Sequence, residues 1–456
     1  MIDAPLGHAP MLHVSLPAFV LAVLAVLVQL ERRDEPRRGG SPQQAPQKVT
    51  SIRCTPSTIS TGVGAPQPAK NPIAQALQRC APGGLIELAP GDYPSFGVGF
   101  AKNAEWNANT SGGTRTMPIV VRALGEVRVL PGSGGDTIAI TQQVRCGFIT
   151  FEGLTIVCGY RAGVMFYKCG ENELHEGFRF LDCNLEGGFD HLTGQGANSK
   201  WGMWGHSLKD FEFRGVRRRS YVRNTRHEHG FYLQNARGDI TIENVDASRL
   251  GRTFVQFVAR ADWGPPGVGT ILVRNCTVED VGIARGDDYK GGSAFTLGGR
   301  HSGVAIFENN RFRAGFDQRL KSLTREGVPY GSGAFVAWDA RGERNGTLIL
   351  DGNDFEFAAG CGDRAVVSIS GCKDVRIRGK NRFVSGGKTV ALELDPPPGN
   401  GSASNPNLAV ELSPDTLCKG GVRIAGTMAD SERLAELAPK SDDKAKPDDK
   451  PKEGGR

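Results

Sequence analysis

The chain has 456 residues, with 55 lysines and arginines against 49 aspartates and glutamates, a formal charge of +6. That balance is mild and evenly spread, so a nucleic-acid partner is not expected. The 62 glycines suit a fold with many tight corners, and ten cysteines are many for a reducing cytosol, leaning towards an oxidising compartment.

Residues 1–30 hold the apolar run Leu16–Leu30, of signal-peptide length and short for a spanning helix. No Lys or Arg precedes it, and Arg32, Arg33, Arg37 and Arg38 follow it, interleaved with acids. A signal peptide or signal anchor is expected. The body would then lie outside the cytoplasm, secreted, periplasmic or held at a membrane through residues 16–30. Residues 31–50 form a Pro/Gln/Arg-rich flexible linker. Asn71 followed by Pro72 predicts the start of a short amphipathic helix reaching Cys80. A strand between two Pro-Gly turns comes next, at Ala81–Tyr93. Cys54 and Cys80 are expected to pair as a disulfide.

From residue 149 a phrase recurs. Asp239-Ile-Thr-Ile-Glu-Asn-Val-Asp-Ala247 shows it: apolar residues alternate with polar ones, then Asn244 and a small apolar residue follow. Eight copies are anchored at Ile149, Phe178, Phe211, Ile240, Ile271, Ala305, Leu348 and Val375, at intervals of 29, 33, 29, 31, 34, 43 and 27 residues. Four positions after each anchor stand Gly153, Asp182, Gly215, Asn244, Asn275, Asn309, Gly352 and Gly379. Gly, Asn and Asp are the residues that tolerate a left-handed backbone, so each copy bends at the same point. The next column runs Leu154, Cys183, Val216, Val245, Cys276, Asn310, Asn353 and Lys380, apolar early and polar late. Cys183 and Cys276 would stand three coils apart, roughly 14 Å, beyond bridging range.

Alternating strands with a fixed bend every 30 residues or so predict one coil of a solenoid per copy. At these residues the chain resembles the pectin-lyase-like superfamily. The resemblance covers about residues 70–425 and implies an all-β fold, a right-handed parallel β-helix with a short N-terminal capping helix; the β-helix is expected over residues 51–428, and the chain is expected to be a monomer. A charge-mixed tail from 429 to 456 is expected to be disordered.

A second strand follows in each coil, as at Gly230–Ala236, Phe254–Ala259 and Ala294–Gly299. The connections leading to it are long at about 186–201, 217–229, 279–292 and 313–332, and short at 248–252. A short connection between long ones makes a groove. Its floor would hold Arg249, Arg252 and Gln256, and its walls His227, His229, Asp287, Asp288, Tyr289, Lys290, Arg319, Lys321 and Tyr330. Loops on a rigid scaffold are where chemistry concentrates.

Arg226-His-Glu-His-Gly230 is the densest titratable cluster. In an extended segment His227 and His229 point to one side, which suits a proton relay, two metal ligands or two loop histidines bonded to backbone. No third ligand is evident, so no metal site is assigned. Polygalacturonases of the superfamily carry an Asp-Asp pair and a His-Gly step. Here the order is reversed, and Asn224-Thr225-Arg226 stands in place of Asn-Thr-Asp. A lyase needs a base and a cation to neutralise a uronate carboxylate. His227, His229, Asp287, Asp288, Lys290 and Arg319 are the catalytic candidates, with Arg249, Arg252, Gln256, Tyr289 and Lys321 as substrate contacts and calcium as a conceivable cofactor at Asp287 or Asp288. Trp201, Trp204 and Trp263 fall in loop-like segments and would either stack on sugar rings or be buried against the coil. The expected partner is an extended acidic polysaccharide, cleaved by elimination rather than hydrolysis. The alternative is a non-catalytic glycan-binding, adhesive or structural solenoid.

Overall fold

The computed structural model describes residues 48–439, apart from 62–64, 66, 101–106, 134, 142, 169–172, 197, 260–266, 284–291, 322–332, 340–343, 363, 388 and 396–407. The leader and most of the linker expected from the sequence therefore lie outside the described residues, as does the tail from residue 440. Among the described residues no helix is long and apolar enough to cross a membrane.

Each coil contributes strands to three stacked ladders. The first carries the anchors, and the register follows the repeat: Phe211 lies opposite Ile240, Ile240 opposite Ile271, Ile271 opposite Ala305, Ala305 opposite Leu348 and Leu348 opposite Val375, all in parallel. After the bend a second ladder forms, from Asn184–Glu186 through Ser220–Arg223, Val245–Leu250, Thr277–Val281, Arg311–Ala314 and Asp354–Phe357. The third ladder is a separate sheet that includes Asp136–Ile140, Ala162–Phe166, Trp201–His206, Phe231–Gln234, Val255–Ala259, Ser293–Gly299 and Gly333–Asp339. The chain is a parallel β-helix.

The bend residues behave as their chemistry requires, with one exception. Gly153, Asp182, Asn244, Asn275, Asn309, Gly352 and Gly379 all have positive φ, between 51° and 77°. Gly215 does not. There the chain makes an excursion through Arg219, so that Ser220 and not Val216 stands opposite Val245. Val216 is left exposed while Ser220 is fully buried. The excursion is held from the coil before: Asp182 Oδ1 accepts the N–H groups of Val216 (2.6 Å) and Arg217 (2.8 Å), and its Oδ2 accepts from the Arg217 guanidinium at 2.7 Å.

A second correction concerns the last member of the inward column, which is Asn381 rather than Lys380. Asn353 donates its backbone N–H to Asn381 Oδ1 at 2.9 Å, Asn310 donates to Asn353 Oδ1 at 3.0 Å, and Cys276 donates to Asn310 Oδ1 at 3.0 Å. Each side-chain amide in turn donates to a carbonyl one coil earlier, on Val273, Phe307 or Leu350. All three asparagines are buried, and the ladder satisfies every polar group it buries. This is why the column can turn polar without opening the core.

Above it runs a line of phenylalanines. Phe151, Phe180, Phe213, Phe231, Phe254, Phe295, Phe355 and Phe383 have neighbouring ring centroids between 4.9 and 6.2 Å apart, the spacing of offset and edge contacts.

Helix Pro72–Arg79 lies at the N-terminal end, with the Asn71 side chain accepting from Ala74 N–H at 3.1 Å and Ile73, Ala74, Ala76 and Leu77 buried. At the other end, helix Ser431–Glu436 occupies residues expected from sequence to be disordered. The disulfide expected between Cys54 and Cys80 is not formed; both are buried free thiols. Cys80 faces Val49, whereas Cys54 faces Leu88, so the two residues lie roughly 15 Å apart along the ladder. Cys183 and Cys276 are buried thiols as well.

Candidate functional site

The corner between the second and third ladders has connections of unequal length. They run 187–200, 224–230, 251–254, 282–292 and 315–332 from one coil to the next. The third coil's connection is shorter than the sequence suggests, because Ser220–Arg223 is a strand and the inserted residues sit at the bend instead. Two consecutive short connections therefore form the floor.

That floor carries a second column of left-handed residues. Asn224, Arg249 and Asp280 have φ of 60°, 53° and 50°, and they occupy equivalent places in successive coils, since Arg223 pairs with Ser248 and Ser248 with Glu279. Asn and Asp adopt this conformation readily; an arginine does so at a cost of about 1–2 kcal/mol. Strain of this kind clusters at functional sites. The three residues line a cavity of about 720 Å³ together with Arg223, Glu279, Arg311, Arg313, Phe316, Asp317 and Glu356.

The charges in this cavity fall into two sets. Arg223 is paired with Glu186 at 2.5 Å, and Arg313 with Asp354 at 3.0 Å and with Glu356. Arg249 and Arg311, by contrast, make no side-chain hydrogen bond or ion pair among the described residues. Arg249 lies within electrostatic reach of Asp190, Asp280 and Asp317. Burial pushes the Asp280 carboxyl up to about 6; the charges of Asp317 and Glu279 add to this, while the Gly315 N–H (3.3 Å) and Arg249 oppose it. Asp317 is shifted the other way. Its hydrogen bonds from the Arg319 side chain and backbone, between 2.9 and 3.0 Å, hold it below the usual carboxylate range. Among the described residues the cavity thus combines a carboxyl raised to about 6, a carboxylate held below its usual range and two guanidinium groups without a hydrogen bond or ion pair.

The residues singled out from the sequence are distributed unevenly around this cavity. Arg249 lines it, and Arg319 reaches it through Asp317. His227 lies with Nε2 2.9 Å from Asn198 Oδ1. His229 is buried beside Tyr232 (ring centroids 4.9 Å apart), and burial followed by the Arg252 charge holds it well below the usual histidine range. Glu228 bridges Arg252 (3.3 Å) and His229 (3.4 Å). The two histidines do not share one open surface, because 224–230 is a tight connection and not an extended strand. Gln256 stands on the third ladder between Tyr232 and Thr296. Lys321 closes the short helix Gln318–Lys321. Asp287, Asp288, Tyr289, Lys290, Tyr330 and Trp263 lie outside the described residues, and with them the conceivable calcium ligands. Among the described residues no group of His, Cys, Asp or Glu is placed to hold a metal ion. Trp201 and Trp204 lie against each other tilted by 33°, ring centroids 5.1 Å apart, and neither buried indole N–H has an acceptor among the described residues.

Asp280, Asp317 and Arg311 were not singled out from the sequence. The signal for Asp280 was present only in part: Arg249 and Asp280 each stand nine positions after their anchors, Ile240 and Ile271, whereas Asn224 stands thirteen after Phe211 because of the excursion at that bend.

No protein-family model matches the chain, and no curated protein matches it. Among solved structures it is similar to an alginate lyase from Paenibacillus sp. str. FPU-7, with 16% identity and a TM-score of 0.43 over 74% of this chain and 98% of that one. It is similar also to pectate lyase Pel9A, with 14% identity and a TM-score of 0.42 over 75% and 77%. A third is the catalytic domain of a GH87 α-1,3-glucanase, with 10% identity and a TM-score of 0.38 over 83% and 70%. The chemistry therefore rests on this chain's own residues.

Proposed function

We propose that this chain cleaves an extended acidic polysaccharide by elimination, at the cavity floored by Arg249 and Asp280. The observation that carries the reading is the pairing of a strained, uncommitted arginine with a carboxyl whose proton is exchangeable near neutrality, one coil apart. Elimination needs a base for the proton beside a uronate carboxylate and a cation to take the charge that develops there. Above pH 6 ionised Asp280 removes that proton. Arg249 and Arg311 hold the carboxylate, the bond to the leaving sugar oxygen breaks, and a double bond forms in the ring left behind. The leaving oxygen takes a proton from water or from Asp280. The chain would work outside the cytoplasm, as a monomer.

Hydrolysis is the second reading, favoured by the opposite shifts of Asp280 and Asp317. A protonated acid facing an ionised carboxylate is the arrangement that splits a glycosidic bond with water. Arg319 ties Asp317 on both oxygens, which weakens it as base or nucleophile and ranks this reading second. A panel of polyuronates and neutral glucans, assayed for unsaturated ends and separately for reducing ends, tests the proposal. Unsaturated ends from a polyuronate support elimination, reducing ends without unsaturation support hydrolysis, and retention without product supports a binding solenoid.

A further inference from the structure

A second cavity, of about 460 Å³, opens at the same corner nearer the N-terminal end. Pro94, Ser95 and Ser133 line it from the corner, and Phe100, Asp136 and Tyr167 from the third ladder. Its geometry is fixed by a compact cluster: Asp136 accepts from Arg161 Nε and from the Tyr167 hydroxyl, both at 2.8 Å, and Phe100 sits edge-on to Tyr167 at 6.4 Å. An apolar and aromatic lining with a few fixed polar groups is the composition of a small-molecule pocket, and here it suits a pyranose ring.

The two cavities open on the same corner, with the 187–200 connection between them. Arg161 donates its backbone N–H to Gly135, Lys200 to Tyr160, Trp201 to Arg161, and Arg226 to Ser199, so the corner is continuous from coil to coil. Four strand spacings separate the Asp136 strand from the coil of Arg249, a distance of ~19 Å. The two most exposed aromatic side chains among the described residues both stand on this edge. Tyr160 is 59% exposed and has Lys200 Nζ 5.5 Å from its ring centre; Phe316, 50% exposed, lines the first cavity. Exposed aromatic rings on one edge, Phe316 in the first cavity and Tyr160 between it and the second, suit a polymer of rings.

We infer that the N-terminal cavity is a distal subsite for the same polysaccharide, reached along the edge past Tyr160, so that the protein favours long chains over short ones. The inference rests on the reading above that the ligand is a polysaccharide. It is tested by electrophoresis of the full chain through gels cast with long polygalacturonate or alginate, with the corresponding trisaccharides as soluble competitors. Tyr160→Ala, on an exposed side chain, and Ser133→Trp, which fills the distal cavity from an exposed position, should each weaken retention by the long polymer at least five-fold. The competing affinity of the trisaccharide should be unchanged. Retention by long polymer that both substitutions leave intact would overturn the distal subsite alone. An unaltered chain that no polymer retains would overturn the polysaccharide reading and the subsite with it.

Discussion

Arg249 and Asp280 stand one above the other in consecutive coils, both with left-handed backbone, φ 53° and 50°. One carries into the cavity a guanidinium with no hydrogen bond or ion pair among the described residues, and the other a carboxyl that burial pushes up to about 6. Glycine would hold either backbone more cheaply; the Asp280 side chain in addition accepts the Gly315 N–H of the next coil at 3.3 Å.

Arg249→Gly separates the two roles. Removing the side chain relieves the backbone, and the melting temperature should hold or rise by the equivalent of about 1 kcal/mol. Activity on an acidic polymer should fall about 100-fold, as for loss of one charge-stabilising donor. Thermal denaturation and initial rates on the same samples check both. A variant that keeps its activity would show that Arg249 is strained for some other reason.

The pH dependence of the rate carries a sign. If Asp280 acts as base in elimination, activity rises as pH increases through about 6. If it acts as acid in hydrolysis, activity falls over the same interval. The linked effect on stability runs one way in either case. The folded-state value of Asp280 is raised above 3.8, so the stability it contributes is present below pH 4 and lost as pH rises through about 6. Asp280→Asn should therefore stabilise the protein above pH 6, by about 2 kcal/mol or less, and leave it unchanged at pH 3. Urea unfolding at the two pH values measures this.

Asn353→Ala interrupts the inward asparagine ladder at its centre. It removes the acceptor for Asn310 N–H and the donor to Phe307, leaving buried groups unsatisfied. A loss of about 2–4 kcal/mol is expected. Lys380→Ala, at the neighbouring exposed position, should change stability by less than about 0.5 kcal/mol. Equal effects at the two sites would contradict the ladder.

Cys54, Cys80, Cys146, Cys158, Cys183, Cys276 and Cys418 are free thiols among the described residues, and burial pushes thiols such as Cys54 and Cys146 up to about 12. Reductant should not shift the melting temperature, and thiol reagents should label the folded protein slowly. A drop in melting temperature with reductant would reveal a disulfide.

The fold was legible because its signal is collective. Eight bend residues at one offset outweigh any single propensity, and seven of them are left-handed as their chemistry demands. The two slips, at Val216 and Lys380, came from counting positions past the bend. Asp182 holds an excursion in one coil, and one extra residue enters in the other, events that depend on contacts between coils. The site was less legible. Arg249 was found because connection lengths mark the floor of a groove. His227 and His229 drew attention as a titratable cluster, but their segment is a tight connection that buries His229. Asp280 was passed over, because a strand-end carboxyl beside Glu279 looks ordinary until the next coil places Gly315 and Asp317 around it.

The account is tested most directly by incubating the unaltered chain and Asp280→Asn with long polyuronates at pH 7 and following the appearance of unsaturated ends. The unaltered chain should produce them, and the variant should be slower by about 10²–10⁴-fold. Failure of the unaltered chain on every polymer, or equal rates from the two, would contradict it.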